Sequence, residues 1–247
     1  MSRTPPFQLA EVESWLDRYR SYRSERSGTR RADFKSGFQR LGEELKPLQA
    51  RAAERAAVET ADFNVFRVLR LARKEVITHT PFLANLLNPR GTHAQGDLFL
   101  RLFLDRLRAK QAHLPAPRPK ARWLVLTEQV TELGNFDIRL WSHDLRCQIV
   151  IENKIGAGDQ EDQLARYWKK MMKHTAQFDF PVLVYLTPSE RKPQQTKEPL
   201  PPYTNLTYHE DICTLLESAL SESALPPIQS PRLQHILEQY LEIVRTS

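Results

Sequence analysis

Apolar residues recur at helical spacing through the first part of the chain. Leu9, Val12, Trp15, Leu16 and Tyr19 share one helix face. The run Arg18-Tyr-Arg-Ser-Tyr-Arg-Ser-Glu-Arg and then Arg30-Arg31 interrupts this pattern with basic residues. Residues 63–74 read as helix, with Phe63, Phe66, Val68, Leu69 and Leu71 inward. A second helix is predicted to start at Thr80-Pro81, a capping residue and first-turn proline, and to end at Asn88-Pro89-Arg90-Gly91. A third covers about Asp97–Lys110. After the proline-punctuated connector His113–Pro119 the period changes from helix to strand. Trp123–Thr131, Phe136–Trp141 and Cys147–Lys154 are predicted as an antiparallel meander, with turns at Leu133-Gly134-Asn135 and Ser142–Arg146. Ile149-Val150-Ile151 in a row suits a strand buried on both faces. A helix at Asp159–His174, strands at Pro181–Leu186 and Leu206–His209, and helices at Asp211–Glu222 and Pro231–Arg245 complete the reading. The loop Pro188–Pro202 is rich in proline and lysine.

Composition narrows the class. The 247 residues are 40% hydrophobic and 27% charged, with mean hydropathy −0.53. These values suit a globular chain and argue against global disorder. No apolar run approaches the roughly 20 residues that span a bilayer. The first residues carry no apolar stretch of a secretory signal, so a cytoplasmic protein without membrane contact is expected. Cys147 and Cys213 form neither a disulfide framework nor a CxxC pair and read as packing residues. The net charge of +6 is compatible with a polyanionic partner. Within the basic run, Arg18, Arg20, Arg23, Arg30 and Arg31 could fork to phosphate oxygens while the tyrosines stack on bases; the plainer reading is a solvated helix end.

The chemistry begins where a buried strand turns polar. Ile149-Val150-Ile151 runs straight into Glu152-Asn153-Lys154, and residues two apart on a strand point to the same side. Asp137 lies early on the preceding strand and approaches Glu152 if the hairpin forms. Two such carboxylates raise each other's pKa unless a cation compensates, and oxygen ligands favour Mg²⁺ or Mn²⁺ over zinc. No Walker-type glycine loop, zinc pair or nucleophile elbow is present, which leaves little support for NTPase, zinc-hydrolase or serine-hydrolase chemistry.

Asp137, followed fifteen residues later by Glu152-x-Lys154 on the next strand, resembles the PD-(D/E)XK nuclease signature. Gln163-Leu-Ala-Arg-Tyr167 on the following helix is similar to the QxxxY motif of the branch that contains recombination exonucleases. Glu75, ahead of His79-Thr80 and the Leu-Leu-Asn-Pro89 turn, is similar to that branch's helix-borne acid. Together with the THTPFLANLLNP stretch, these features resemble an uncharacterised bacterial family of the superfamily. Phe136 stands in place of the motif's proline.

The resemblance implies an α/β, restriction-endonuclease-like αβββαβ core: a mixed sheet flanked by helices, over residues 61–217. An N-terminal helical extension (1–60) and a C-terminal helix (218–247) flank it. It further implies a metal-dependent nuclease acting on DNA, in DNA processing or anti-phage defence. Asp137, Glu152 and Glu75 would ligate Mg²⁺ or Mn²⁺. Lys154 would orient or help deprotonate the attacking water, and Gln163 and Tyr167 would position water or the phosphate backbone. A homodimer would let two sites cut two strands. The rivals are a catalytically silent nucleic-acid-binding module on the same fold, a subunit that docks on a protein partner through the N-terminal helices, and a metal-dependent hydrolase of another phosphate substrate. His79 and His93 offer ring nitrogens to phosphate or metal, but a helix-start neighbourhood and a loop more often hold uncommitted histidines.

Overall fold

The computed structural model describes residues 9–24, 29–59, 63–110, 112–118, 120–129, 135–156, 158–173, 177–194, 196–221, 223–224 and 227–246. They divide into two compact units, Met1–Phe63 and Asn64–Ser247. The first contains helices α1 (Leu9–Ser24) and α2 (Thr29–Glu59), with Pro47 inside the second. Trp15 and Tyr19 stack on α1 with ring centroids 5.5 Å apart, as four-residue helical spacing allows.

The second unit is built on a five-stranded sheet in the order β1-β2-β3-β4-β5. Its strands are β1 (Leu124–Gln129), β2 (Phe136–Ser142), β3 (Cys147–Asn153), β4 (Phe180–Thr187) and β5 (Thr204–Thr207). The first three are antiparallel, as the turn signals predict; β4 and β5 add in parallel beyond β3. The α/β, restriction-endonuclease-like core expected from the sequence is therefore present. Every residue of β3 is buried, which explains its unbroken Ile-Val-Ile run.

The pleat divides the core in two. Ile149 and Ile151 join Val182, Val184 and Leu186 beneath the layer formed by α4 (Thr80–Leu87), α5 (Leu98–Ala109), α7 (Cys213–Leu220) and α8 (Pro231–Arg245). Val150, Leu183 and Tyr185 face the other way, under α6 (Gln163–Met172), which contributes Leu164, Tyr167 and Met171. Each fully buried aliphatic side chain in these layers stabilises by about 1.5–3 kcal/mol.

Three local elements depart from the periodicity. The helix expected over 63–74 shrinks to α3 (Val65–Val68), capped by the Asn64 side chain, which accepts from the Phe66 and Arg67 N–H groups. Arg70 at φ 56° then turns the chain out of helix. Thr80 is not a cap: a π-helical turn, Glu75–His79, runs directly into α4, and the Thr80 hydroxyl accepts from the Asn153 side chain instead. A second π-helical turn, Tyr208–Ile212, precedes α7. The helix expected from Asp159 begins only at Gln163, because Asp159 and Asp162 hold the neighbouring loop rather than helix backbone.

Candidate active site

The register Ile138↔Ile151 between β2 and β3, continued by one residue, sets Asp137 opposite Glu152 at one end of the sheet. Alternation then directs Glu152 toward the α6 side and Asn153 away from it. Asn153 is fully buried. Its amide donates to Thr80 Oγ1 (3.0 Å), its carbonyl accepts from the Tyr208 hydroxyl (3.0 Å), and its backbone N–H donates to Asp137 Oδ2 (2.7 Å). One residue thus ties the end of β3 to α4, to the second π-helical turn and to β2. Sequence reasoning passed over it as the variable position of the motif, and no pattern in the sequence signals its role.

Glu152 is only 1% exposed. Lys154 Nζ lies 2.7 Å from its Oε1, so the two form a buried ion pair. Burial, and then the charge of Asp137, push the Glu152 carboxyl up to about 8, with Lys154 opposing. Burial likewise raises Asp137 to about 6; the Asn153 N–H and Lys154 restrain the shift, and Glu75 adds to it. For Lys154, burial pulls downward, but Glu152, Glu75 and Asp137 together carry the ammonium above its ordinary value.

Glu75, first residue of the π-helical turn, comes close enough to act electrostatically on Asp137 and Lys154. Its Oε2 accepts from the Ile155 N–H at 2.7 Å, so it braces the chain just after Lys154. Among the described residues, no three His, Cys, Asp or Glu side chains are arranged to hold a metal ion together. The two buried, mutually repelling carboxylates nevertheless fit a hard divalent cation. Glu152 supplies two buried carboxylate oxygens with Lys154 alone in ion-pair contact, and a cation would relieve the cost of ionising both acids.

Gln163 and Tyr167 do share a face of α6: Gln163 Nε2 donates to the Tyr167 hydroxyl at 2.9 Å. That hydroxyl donates to the Asn135 carbonyl, and its ring packs edge-on against Phe136, 4.9 Å between centroids. Tyr167 therefore fastens α6 to the start of β2 beside Asp137. Burial and the nearby Glu152 raise its pKa, so it stays a protonated donor. Phe136, where the motif has proline, is the other half of this clamp.

Two acids outside the expected set complete the surroundings. Asp159 accepts from the Tyr185 hydroxyl (2.7 Å), the Gln194 N–H (2.7 Å) and Arg191 (3.2 Å). Asp162, left-handed at φ 51°, accepts from the Lys197 and Glu198 N–H groups. They secure the Pro188–Pro202 loop beside Glu152 and Gln163, with which they line a small cleft.

The remaining candidates lie elsewhere. His79 is fully buried; its Nδ1 pairs with the Tyr240 hydroxyl and its Nε2 with the Ala72 carbonyl, both at 2.9 Å. His93 ties the Asn88 carbonyl to the Gln95 N–H within one loop. Burial pushes the Cys147 thiol up to about 12, as befits a packing residue. Arg18 donates to the Ser14 carbonyl and Arg20 pairs with Asp17 on their own helix, in the first unit. The side chains of Arg23, Arg30 and Arg31 lie outside the described residues. No described helix is long and apolar enough to cross a membrane. No curated protein and no solved structure matches the chain. A family model described as the PD-(D/E)XK nuclease superfamily matches residues 63–242, the stretch that holds the sheet, the paired acids and α6, and the chain belongs to that superfamily.

Proposed function

We propose that this chain is a Mg²⁺- or Mn²⁺-dependent nuclease that hydrolyses phosphodiester bonds of DNA, in DNA processing or anti-phage defence. The observation that carries the reading is the buried pair Asp137 and Glu152, the latter 2.7 Å from the Lys154 ammonium, in a superfamily of nucleases. Asp137 and Glu152 would hold the cation, with Glu75 bracing the strand end or joining as a third carboxylate. When bound, the ion supplies Lewis-acid activation of water and neutralises charge on the phosphate. Lys154, already charged and next to Glu152, would orient the attacking water or offset charge that develops on the phosphoryl oxygens. Gln163 offers an amide carbonyl and Tyr167 keeps that amide in place, so the pair would position water or phosphate.

A catalytically silent nucleic-acid-binding module is the second reading. Burial favours it: the Asp137 and Glu152 carboxyls, pushed up to about 6 and about 8, resist the ionisation that a cation needs.

Incubating linear, circular and single-stranded DNA, and RNA, with Mg²⁺, Mn²⁺ or EDTA tests both. Cleavage is expected with metal and not with EDTA, and Asp137→Ala or Lys154→Ala should lower its rate by about 10²–10⁴-fold while the fold survives. Unchanged cleavage in both variants would overturn the site. Salt-sensitive binding without any cleavage would establish the silent module.

A further inference from the structure

At the opposite end of the sheet from the acids lies a cavity of about 710 Å³. It opens beside Trp123, just before β1, and Leu145, in the β2–β3 turn. Along β2 this is about 13 Å from Asp137, counting the strand rise from Trp141, which pairs with Leu124.

One wall is a single face of α5, since Asp97, Leu100, Arg101, Leu104, Asp105 and Arg108 repeat at intervals of three and one. The facing wall is the connector at Leu114, Pro115 and Pro117. Its prolines lack N–H donors and hold an extended backbone, so the connector spans the gap without closing onto the helix. Leu100, Leu104 and Trp123 are buried and give the cavity an apolar floor.

The rim is basic. Among the described residues, six Lys and Arg side chains line the cavity against two carboxylates, an excess of four. Over residues 64–247 there are 24 Lys and Arg and 20 Asp and Glu, so this lining alone carries an excess equal to the net charge of that stretch. Both lining carboxylates are already matched on the helix: Asp97 by Arg101 at 3.1 Å and Asp105 by Arg108 at 2.8 Å. Arg118 donates to the Asp144 carbonyl oxygen, and the Asp144 carboxylate is taken by the Arg122 backbone N–H. The side chains of Arg90, Lys120 and Arg122 are exposed and held by no hydrogen bond or ion pair among the described residues.

Apolar walls with an aromatic ring below and uncommitted guanidinium and ammonium groups above match one kind of occupant. From this geometry we infer that the cavity binds a nucleotide, with its base and sugar against the apolar floor and Trp123, and its phosphates at Arg90, Lys120 and Arg122. The volume lies within the roughly 300–1,000 Å³ of small-molecule sites, and arginine supplies the planar fork that phosphate oxygens take. A duplex would need an open groove rather than a recess between a helix and a connector.

Titrating the full chain with ATP, ADP and pyrophosphate in EDTA, by calorimetry and by tryptophan fluorescence, tests this without the acidic site. ATP or ADP should bind saturably with quenching, more weakly at higher salt, and tighter than pyrophosphate. The R90E/R122E double variant should lose at least about tenfold in affinity while its circular dichroism and melting are unchanged. Trp123→Phe should keep binding and lose most of the quench. No saturable nucleotide binding, binding indifferent to R90E/R122E, or pyrophosphate binding as tight as ATP would each overturn the assignment. So would binding of a short DNA oligonucleotide while ATP and ADP fail to bind.

Discussion

Two residues apart on a strand, Glu152 and Lys154 face the same way; that alternation is readable in the sequence, and so is the approach of Asp137 across the hairpin. Burial was less readable, and it sets the energetics. Asp137, raised to about 6, and Glu152, raised to about 8, are harder to ionise folded than unfolded. A raised carboxyl contributes stability that is complete below its unfolded value, near 4, and is lost as pH rises through the folded value. Lys154, raised above 10.5, contributes evenly across that range and does not reverse the trend. Without metal, stability should therefore fall between about pH 4 and pH 8, by several kcal/mol, on the order of 5. Urea denaturation in EDTA at several pH values measures this. Glu152→Gln should flatten the slope, and Mg²⁺ at pH 8.5 should restore the lost stability in the native sequence. A slope of opposite sign would mean that the acids are not buried together. Glu75 was also legible as an acid near the site, but not its contact with the Ile155 N–H, which depends on the π-helical turn.

Among the elements, strands were read well because period-two patterns and turn residues are local signals. The end of α8 and the Asn88–Gly91 stop were readable for the same reason. The misjudged elements are those where a side chain was recruited from afar. Asn64 fixes the start of α3 while bonding Gln239 and Glu242 on α8, and Asp159 leaves α6 for Tyr185, Arg191 and Gln194. Asn153 belongs with them, because both of its side-chain partners, Thr80 and Tyr208, are more than fifty residues away. Replacing it by alanine would orphan two buried hydroxyls and free the end of β3. Asn153→Ala should cost about 1–3 kcal/mol in denaturant unfolding. It should also lower cleavage more than binding, since Glu152 and Lys154 flank it. Equal loss of both, or of neither, would show that β3 is held by its ladder alone.

For the whole molecule, net charge by itself locates no nucleic-acid contact. Residues 1–63 hold 12 Lys and Arg against 10 Asp and Glu, so the arginine-rich start carries an excess of only two. Arg20 is paired with Asp17 on its own helix. Both hydrophobic clusters are built wholly from residues after Asn64, so the chain from Asn64 onward should unfold cooperatively by itself and keep any metal-dependent cleavage. DNA affinity separates two accounts of the first unit. Each phosphate neutralised on duplex DNA contributes about 0.9 to the slope of log affinity against log salt. Five arginines tracking phosphates (Arg18, Arg20, Arg23, Arg30 and Arg31) would remove about 4.5 from that slope when deleted. A unit whose charges are largely balanced should remove no more than about 2. We expect the smaller change when salt titrations of the full chain and of residues 64–247 are compared. The larger one would restore the basic run as a nucleic-acid contact. An unchanged slope with intact cleavage would take the first unit out of phosphate contact altogether.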